Sequence, residues 1–121
     1  MQYQRILLKL SGEALNNRED VSGKTFLDDK ALSAIAQDIA TIAQAGTQIG
    51  IVLGGGNWFR GRNAQSNISR ITADQVGMLA TIMNALIVRD TLAHYKIDTK
   101  ILSALAVSSV VEPFEVLKAR N

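Results

Sequence analysis

Residues 49–57, Ile-Gly-Ile-Val-Leu-Gly-Gly-Gly-Asn, carry a short apolar run straight into three consecutive glycines. Ile49 to Leu53 read as a strand, and the glycines read as the turn at its carboxyl end. Upstream, Leu32, Ile35, Ala36, Ile39, Ile42 and Ala43 recur at steps of three and four, the spacing of an amphipathic helix. Asp28 or Asp29 suits its start, and Gly46 follows its last turn, where a left-handed closing residue is wanted. Further upstream, Ile6, Leu7, Leu8 and Leu10 predict a strand over residues 4 to 10 that ends at Ser11-Gly12.

Downstream of the glycines, Thr72 with Gln75 fits a capping box and predicts a helix from Ala73 to about His94. Val76, Met78, Leu79, Ile82, Met83, Leu86, Ile87 and Val88 cover nearly its whole circumference, which predicts burial on more than one side. Lys100 to Leu102 begin a third strand, and Pro113 fits the first position of a last helix toward Ala119. The order βαβαβα, without hairpin signals, predicts a parallel α/β sheet sandwiched by helices in one domain.

Composition agrees with a folded domain: of 121 residues, 47% are hydrophobic and 20% charged. The net charge of +2 comes from scattered Lys and Arg, with no basic run interleaved with aromatics, so neither nucleic acid nor a membrane is expected as a partner. Absence of cysteine removes disulfides, thiolate nucleophiles and Cys-based zinc sites. No signal-peptide pattern and no stretch of about eighteen uninterrupted apolar residues is present, and the expected compartment is the cytoplasm.

In open α/β sheets, ligands gather at the carboxyl ends of the strands, here Lys9-Leu10-Ser11-Gly12 and Leu53 to Asn57. Glycines without a Cβ let backbone amides approach an anion, so Gly54, Gly55 and Gly56 are candidate phosphate contacts, with Arg60 offering a guanidinium nearby. The plain alternative is a tightly packed turn. Lys9 interrupts an apolar strand near its end and suits charge stabilisation on a transferring phosphoryl group; otherwise it snorkels from the sheet. Asp74, expected in the first turn of the long helix, suits either the helix dipole or recognition of ribose hydroxyls. His94, near a helix end, reads as structural. Metal-ligand spacing is absent, as are a Walker loop and the glycine pattern of protein kinases and dinucleotide-binding folds.

Three segments carry a more specific signal. Arg5-Ile-Leu-Leu-Lys-Leu-Ser-Gly-Glu-Ala-Leu15, Gly54-Gly-Gly-Asn-Trp-Phe-Arg-Gly61, and Asp74 followed by Gly77-Met-Leu-Ala-Thr81 and Met83-Asn84 closely resemble the bacterial UMP kinase family, of the amino-acid kinase fold. The resemblance runs along essentially the whole chain. It implies transfer of the ATP γ-phosphoryl group to UMP, with Mg2+ at the phosphates. It further implies that Lys9, Leu10, Ser11, Gly12, Gly56 and Arg60 meet ATP or its phosphates, and that Gly55 and Asp74 meet UMP. Lys9 would stabilise transferred charge. A homo-oligomer, a hexamer in the family, is implied as well, with GTP and UTP as effectors.

The match departs from the family in two places. Residues 16–27 are not the glycine-rich segment that takes part in GTP activation in the family, a departure that bears on allosteric control. Nothing resembles the family's later GTGNP and FTTD segments, which hold the rest of the UMP site and the adenine site. The expectation is an N-terminal, phosphate- and UMP-side half that transfers phosphoryl groups poorly on its own and exposes surface. Competing readings are a nucleotide-binding module without chemistry, an amino-acid kinase with a carboxylate acceptor, and an inert assembly fragment.

Overall fold

A computed structural model describes residues 2–16, 27–58, 67–107 and 111–120. Its centre is a parallel pair, β1 (Arg5–Leu10) and β2 (Gln48–Leu53), in register from Arg5 opposite Gln48 to Leu10 opposite Leu53. A 3-10 turn, Gly12–Leu15, follows β1, and helix α1 (Asp29–Gln44) precedes β2. Helix α2 (Arg70–Ala93) comes next, then two-residue strands β3 (Leu102–Ser103) and β4 (Glu112–Pro113), and helix α3 (Val116–Arg120).

Side chains alternate across a strand, and here the alternation decides where the core lies. Leu8, Leu10, Ile49, Ile51 and Leu53 pack on a cluster of Leu15, Leu32, Ala36, Ile39, Val88 and Leu92, so α1 and α2 share one face of the pair. Each leucine buried there contributes roughly 1.5–3 kcal/mol of hydrophobic stabilisation. On the opposite face Leu7 is 73% and Val52 49% exposed. The parallel strands, both flanking helices and their order agree with the sequence, whereas helices on both faces are not found among the described residues.

The helix ends have local causes. The Asp28 carboxylate accepts from the Ala31 N–H at 3.0 Å and starts α1. Gly46, at φ +100°, closes it, with the Gly46 and Thr47 N–H groups donating to the Ala43 and Ile42 carbonyls. Helix α2 begins earlier than the capping-box pattern predicts: the cap is Ser69, whose hydroxyl accepts from the Thr72 N–H at 3.2 Å. At the other end Lys96 takes the left-handed closing position with φ 61°, and Ile97 N–H donates to Leu92 O at 3.2 Å.

The last third corrects two expectations. Leu102 and Ser103 pair with Glu112 and Pro113 in a separate parallel ladder rather than extending β1 and β2. Pro113 lies in β4 and does not open a helix. It fits because the Glu112 and Phe114 N–H groups donate to Ile101 O and Ser103 O, which leaves the intervening nitrogen pointing away from the ladder. Ile101 and Val111 pack on Ile82 in a second small core and hold this ladder against α2.

Helix α2 therefore serves both cores, while part of its apolar circumference stays exposed among the described residues. Ile82, Val88 and Leu92 are buried, whereas Val76, Met78, Leu79 and Met83 are between 37% and 48% exposed. By length and composition alone α2 is apolar enough to cross a membrane; here its inner side lies on the two cores.

The two left-handed positions give opposite expectations. Gly46→Ala places a Cβ on a backbone that disfavours it and lowers stability by about 1 kcal/mol, whereas Lys96→Gly relieves the same strain and leaves stability equal or higher by up to about 1 kcal/mol. Urea unfolding midpoints read both.

Candidate functional site

Because β1 and β2 run parallel and end in register, their carboxyl ends lie side by side, and the Gly54 N–H continues the ladder by donating to Leu10 O at 2.9 Å. Beyond this bond the two exits touch backbone to backbone. A Cβ on Gly12 would lie 2.5 Å from the Gly56 nitrogen, 2.6 Å from Asn57 Oδ1 and 2.9 Å from the Gly55 carbonyl carbon. A Cβ on Gly54 would lie 3.2 Å from the Gly12 nitrogen. Ser11-Gly12 and Gly54 to Asn57 thus form one glycine-lined surface.

The same turn rests on α2. A Cβ on Gly55 would meet the Ala80 Cβ at 2.7 Å, Gly77 O at 3.0 Å and the Thr81 nitrogen at 3.2 Å. Asp74, one helical turn before Gly77, is exposed, so Gly55 and Asp74 belong to the same end of α2. With the helix starting at Arg70, Asp74 lies in the second turn rather than the first, and no acidic residue occupies the first turn. The helix dipole acts mainly within the first turn and accounts poorly for a carboxylate here.

The remaining candidates are placed as follows. Leu10 is half-buried at the end of β1, Ser11 is exposed, and the Ser11 carbonyl accepts from Ala14 N–H at 3.0 Å to close the 3-10 turn. Gly12 is buried, and Gly55 and Gly56 are half-buried. Lys9 is exposed beside Val52, on the sheet face that no described helix covers, and makes no hydrogen bond or ion pair among the described residues. Arg60 lies outside the described residues. His94 Nδ1–H donates to Asp90 O at 2.8 Å, a local helix-end bond. No group of three or more His, Cys, Asp or Glu side chains gathers into a metal site among the described residues.

Sequence reading missed a buried polar cluster beneath the turn. Asn84, 0% exposed, donates through Nδ2 to Gly54 O at 2.7 Å and Asn57 Oδ1 at 2.8 Å. Its Oδ1 accepts from Trp58 Nε1 at 2.8 Å and Asn57 Nδ2 at 3.2 Å. The only available signal was an asparagine interrupting an apolar helix, which by itself names no partner.

Comparison with known proteins gives a consistent result. The sequence matches the Amino acid kinase family over residues 4–119. It is similar to the uridylate kinase of Acinetobacter baylyi, 46% identical over 114 residues, covering 93% of this chain and 46% of that protein. The uridylate kinase of Legionella pneumophila (strain Corby) is 43% identical over 120 residues, covering 98% of this chain and 47% of that protein. Among solved structures, UMP kinase from Bacillus anthracis superposes with a TM-score of 0.83 at 38% identity, over 97% of this chain and 47% of that one. UMP kinase from Ureaplasma parvum gives 0.85 at 32% identity, over 99% and 49%. The chain spans about half the length of the relatives it matches.

The glycine contacts set up a sharp contrast. Gly12→Ala and Gly55→Ala drive a methyl group into backbone or Ala80 and should each destabilise by about 1–3 kcal/mol. Gly77→Ala, whose added Cβ meets nothing within 4 Å, should stabilise α2 by about 1 kcal/mol. Thermal unfolding of the three variants checks the order.

Proposed function

We propose, since the chain belongs to the amino acid kinase family, that residues 1–121 supply the phosphate- and UMP-side part of a uridylate kinase. The reaction is transfer of the γ-phosphoryl group of ATP to UMP, giving UDP and ADP. The observation that carries this reading is the contact of Gly12 with Gly56, which joins two glycine-lined strand exits into one surface fit for more than one phosphate.

In this reading Leu10, Ser11, Gly12 and Gly56 present backbone to the ATP phosphates, and Arg60 adds a guanidinium. Gly55 meets the UMP phosphate, and Asp74 accepts hydrogen bonds from its ribose hydroxyls. The turn's position against α2 supports this division, because Gly55 abuts the helix one turn from Asp74. The exposed Lys9 ammonium, without a partner among the described residues, is placed to approach the transferring group and stabilise its charge. Phosphoryl transfer of this kind needs no covalent enzyme intermediate; alignment of donor and acceptor, with fixed positive groups, lowers the barrier. Mg2+ arrives with ATP, where it neutralises phosphate charge.

The exposed apolar side of α2, Val76, Met78, Leu79 and Met83, supports a homo-oligomer built on that helix. Cytoplasmic pyrimidine nucleotide synthesis is the corresponding setting. GTP and UTP remain effectors to be tested, with residues 17–26 of the relevant segment outside the described residues.

A coupled ADP-release assay tests the reading on this chain, alone and fused to the portion of the A. baylyi enzyme beyond the matched region. UMP should stimulate release by the fusion, whereas CMP, aspartate and acetylglutamate should not. Lys9→Ala should lower kcat by about 100-fold. Release driven by aspartate or acetylglutamate would replace the nucleotide acceptor with a carboxylate one.

A further inference from the structure

We propose that Asn84 is a positioning residue for the anion-binding turn: by holding the Gly54 carbonyl toward α2, its side-chain amide turns the Gly55 N–H outward to the phosphate of UMP. The inference rests on the reading of this turn as a UMP phosphate site.

An asparagine amide has two N–H donors and two acceptor lone pairs, and all four are used here. The orientation of the amide is set by its partners. Gly54 O can only accept and Trp58 Nε1–H can only donate, so Nδ2 faces the first and Oδ1 the second. The reciprocal pair with Asn57 adds two further bonds in the same sense. Rotating this amide would set donor against donor and acceptor against acceptor at a site that is 0% exposed.

The consequence reaches the turn through one planar unit. In a trans peptide the carbonyl and the following N–H point in opposite directions, and the chain has no cis peptide among the described residues. With Gly54 O drawn to Asn84 at 2.7 Å, the Gly55 N–H points away from α2. That N–H has no hydrogen-bond acceptor among the described residues. Glycines leave such a peptide free to rotate, and a buried amide with four bonds removes that freedom. Helix preference does not account for asparagine at this position, where leucine would serve α2 better.

The test uses the 121-residue chain, with UMP and inorganic phosphate as ligands. Calorimetry gives affinity, and the 15N–1H resonance of Gly55 reports the turn. Asn84→Leu removes all four bonds. Asn84→Asp keeps an acceptor for Trp58 but sets a carboxylate oxygen against Gly54 O, so it remains informative if the leucine variant does not fold. Leu92→Ala, in the core at the far end of α2 and 1% exposed, serves as the control for lost stability.

Both Asn84 variants should weaken UMP by about tenfold or more, the scale of one hydrogen bond to a charged group, and lose the ligand-induced shift of Gly55. Leu92→Ala should keep UMP affinity within about twofold of the parent chain. Unchanged affinity in folded Asn84 variants, or an equal loss in Leu92→Ala, overturns the positioning role and leaves the UMP site standing. A parent chain whose Gly55 resonance responds to neither ligand overturns the UMP reading itself, and the positioning role with it.

Discussion

The two strand exits meet at a separation that only glycine permits. The 2.5 Å gap between the Gly56 nitrogen and the place where a Cβ of Gly12 would stand is shorter than any real side-chain contact. Everything at the candidate site depends on this approach. It requires that β1 and β2 be parallel and end in register, because a slip by one residue would move the exits apart and put Leu8 and Leu10 on the exposed face. It also requires a firm support beneath, which Ala80 and Thr81 provide by packing against Gly55. Packing and site are therefore not separable: the hydrophobic alternation that builds the core also sets the geometry at which phosphate would be met.

Burying an amide inside an apolar helix is unfavourable unless its hydrogen bonds are replaced. Asn84 shows complete replacement, with partners drawn from the turn rather than from α2 itself. Apolar contacts can be exchanged for others of similar volume, whereas a saturated amide accepts one arrangement of donors and acceptors. The glycine turn, the least constrained segment by composition, is thus tied to the longest and most regular element. Lys9 has the opposite character: it is exposed and makes no hydrogen bond or ion pair among the described residues.

Sequence was most legible where local periodicity and burial agree. The strands at 5–10 and 48–53 and the first helix with its Asp28 cap and Gly46 stop follow from patterns a few residues long. Ser69 was harder to read because its cap bond lacks the acidic or amide residue three positions on that completes a capping box, while Thr72 and Gln75 offered one. Strands of two residues, β3 and β4, are too short to show any period, and Pro113 fits a strand only because of which neighbouring N–H groups bond across. Gly12, Gly55 and Gly56 could be picked out by type, but their contact could not. Nor could the partners of Asn84, which lie 26 to 30 residues away along the chain. For Lys9 and Asp74, position along the elements allowed a functional and a structural reading alike, and only the family resemblance favoured the first.

Helix α2 enters both hydrophobic clusters, with Ile82 in one and Val88 and Leu92 in the other, and Asn84 stands between these contacts. A helix turns as a shaft, since its backbone bonds are internal and each residue adds a fixed rotation. Twisting α2 enough to dislodge Ile82 from Ile101 and Val111 would swing Asn84 off the Gly54 carbonyl in the same motion. The small β3–β4 ladder and the glycine turn thus take their positions from the same helix, so its angular setting is a common reference for both.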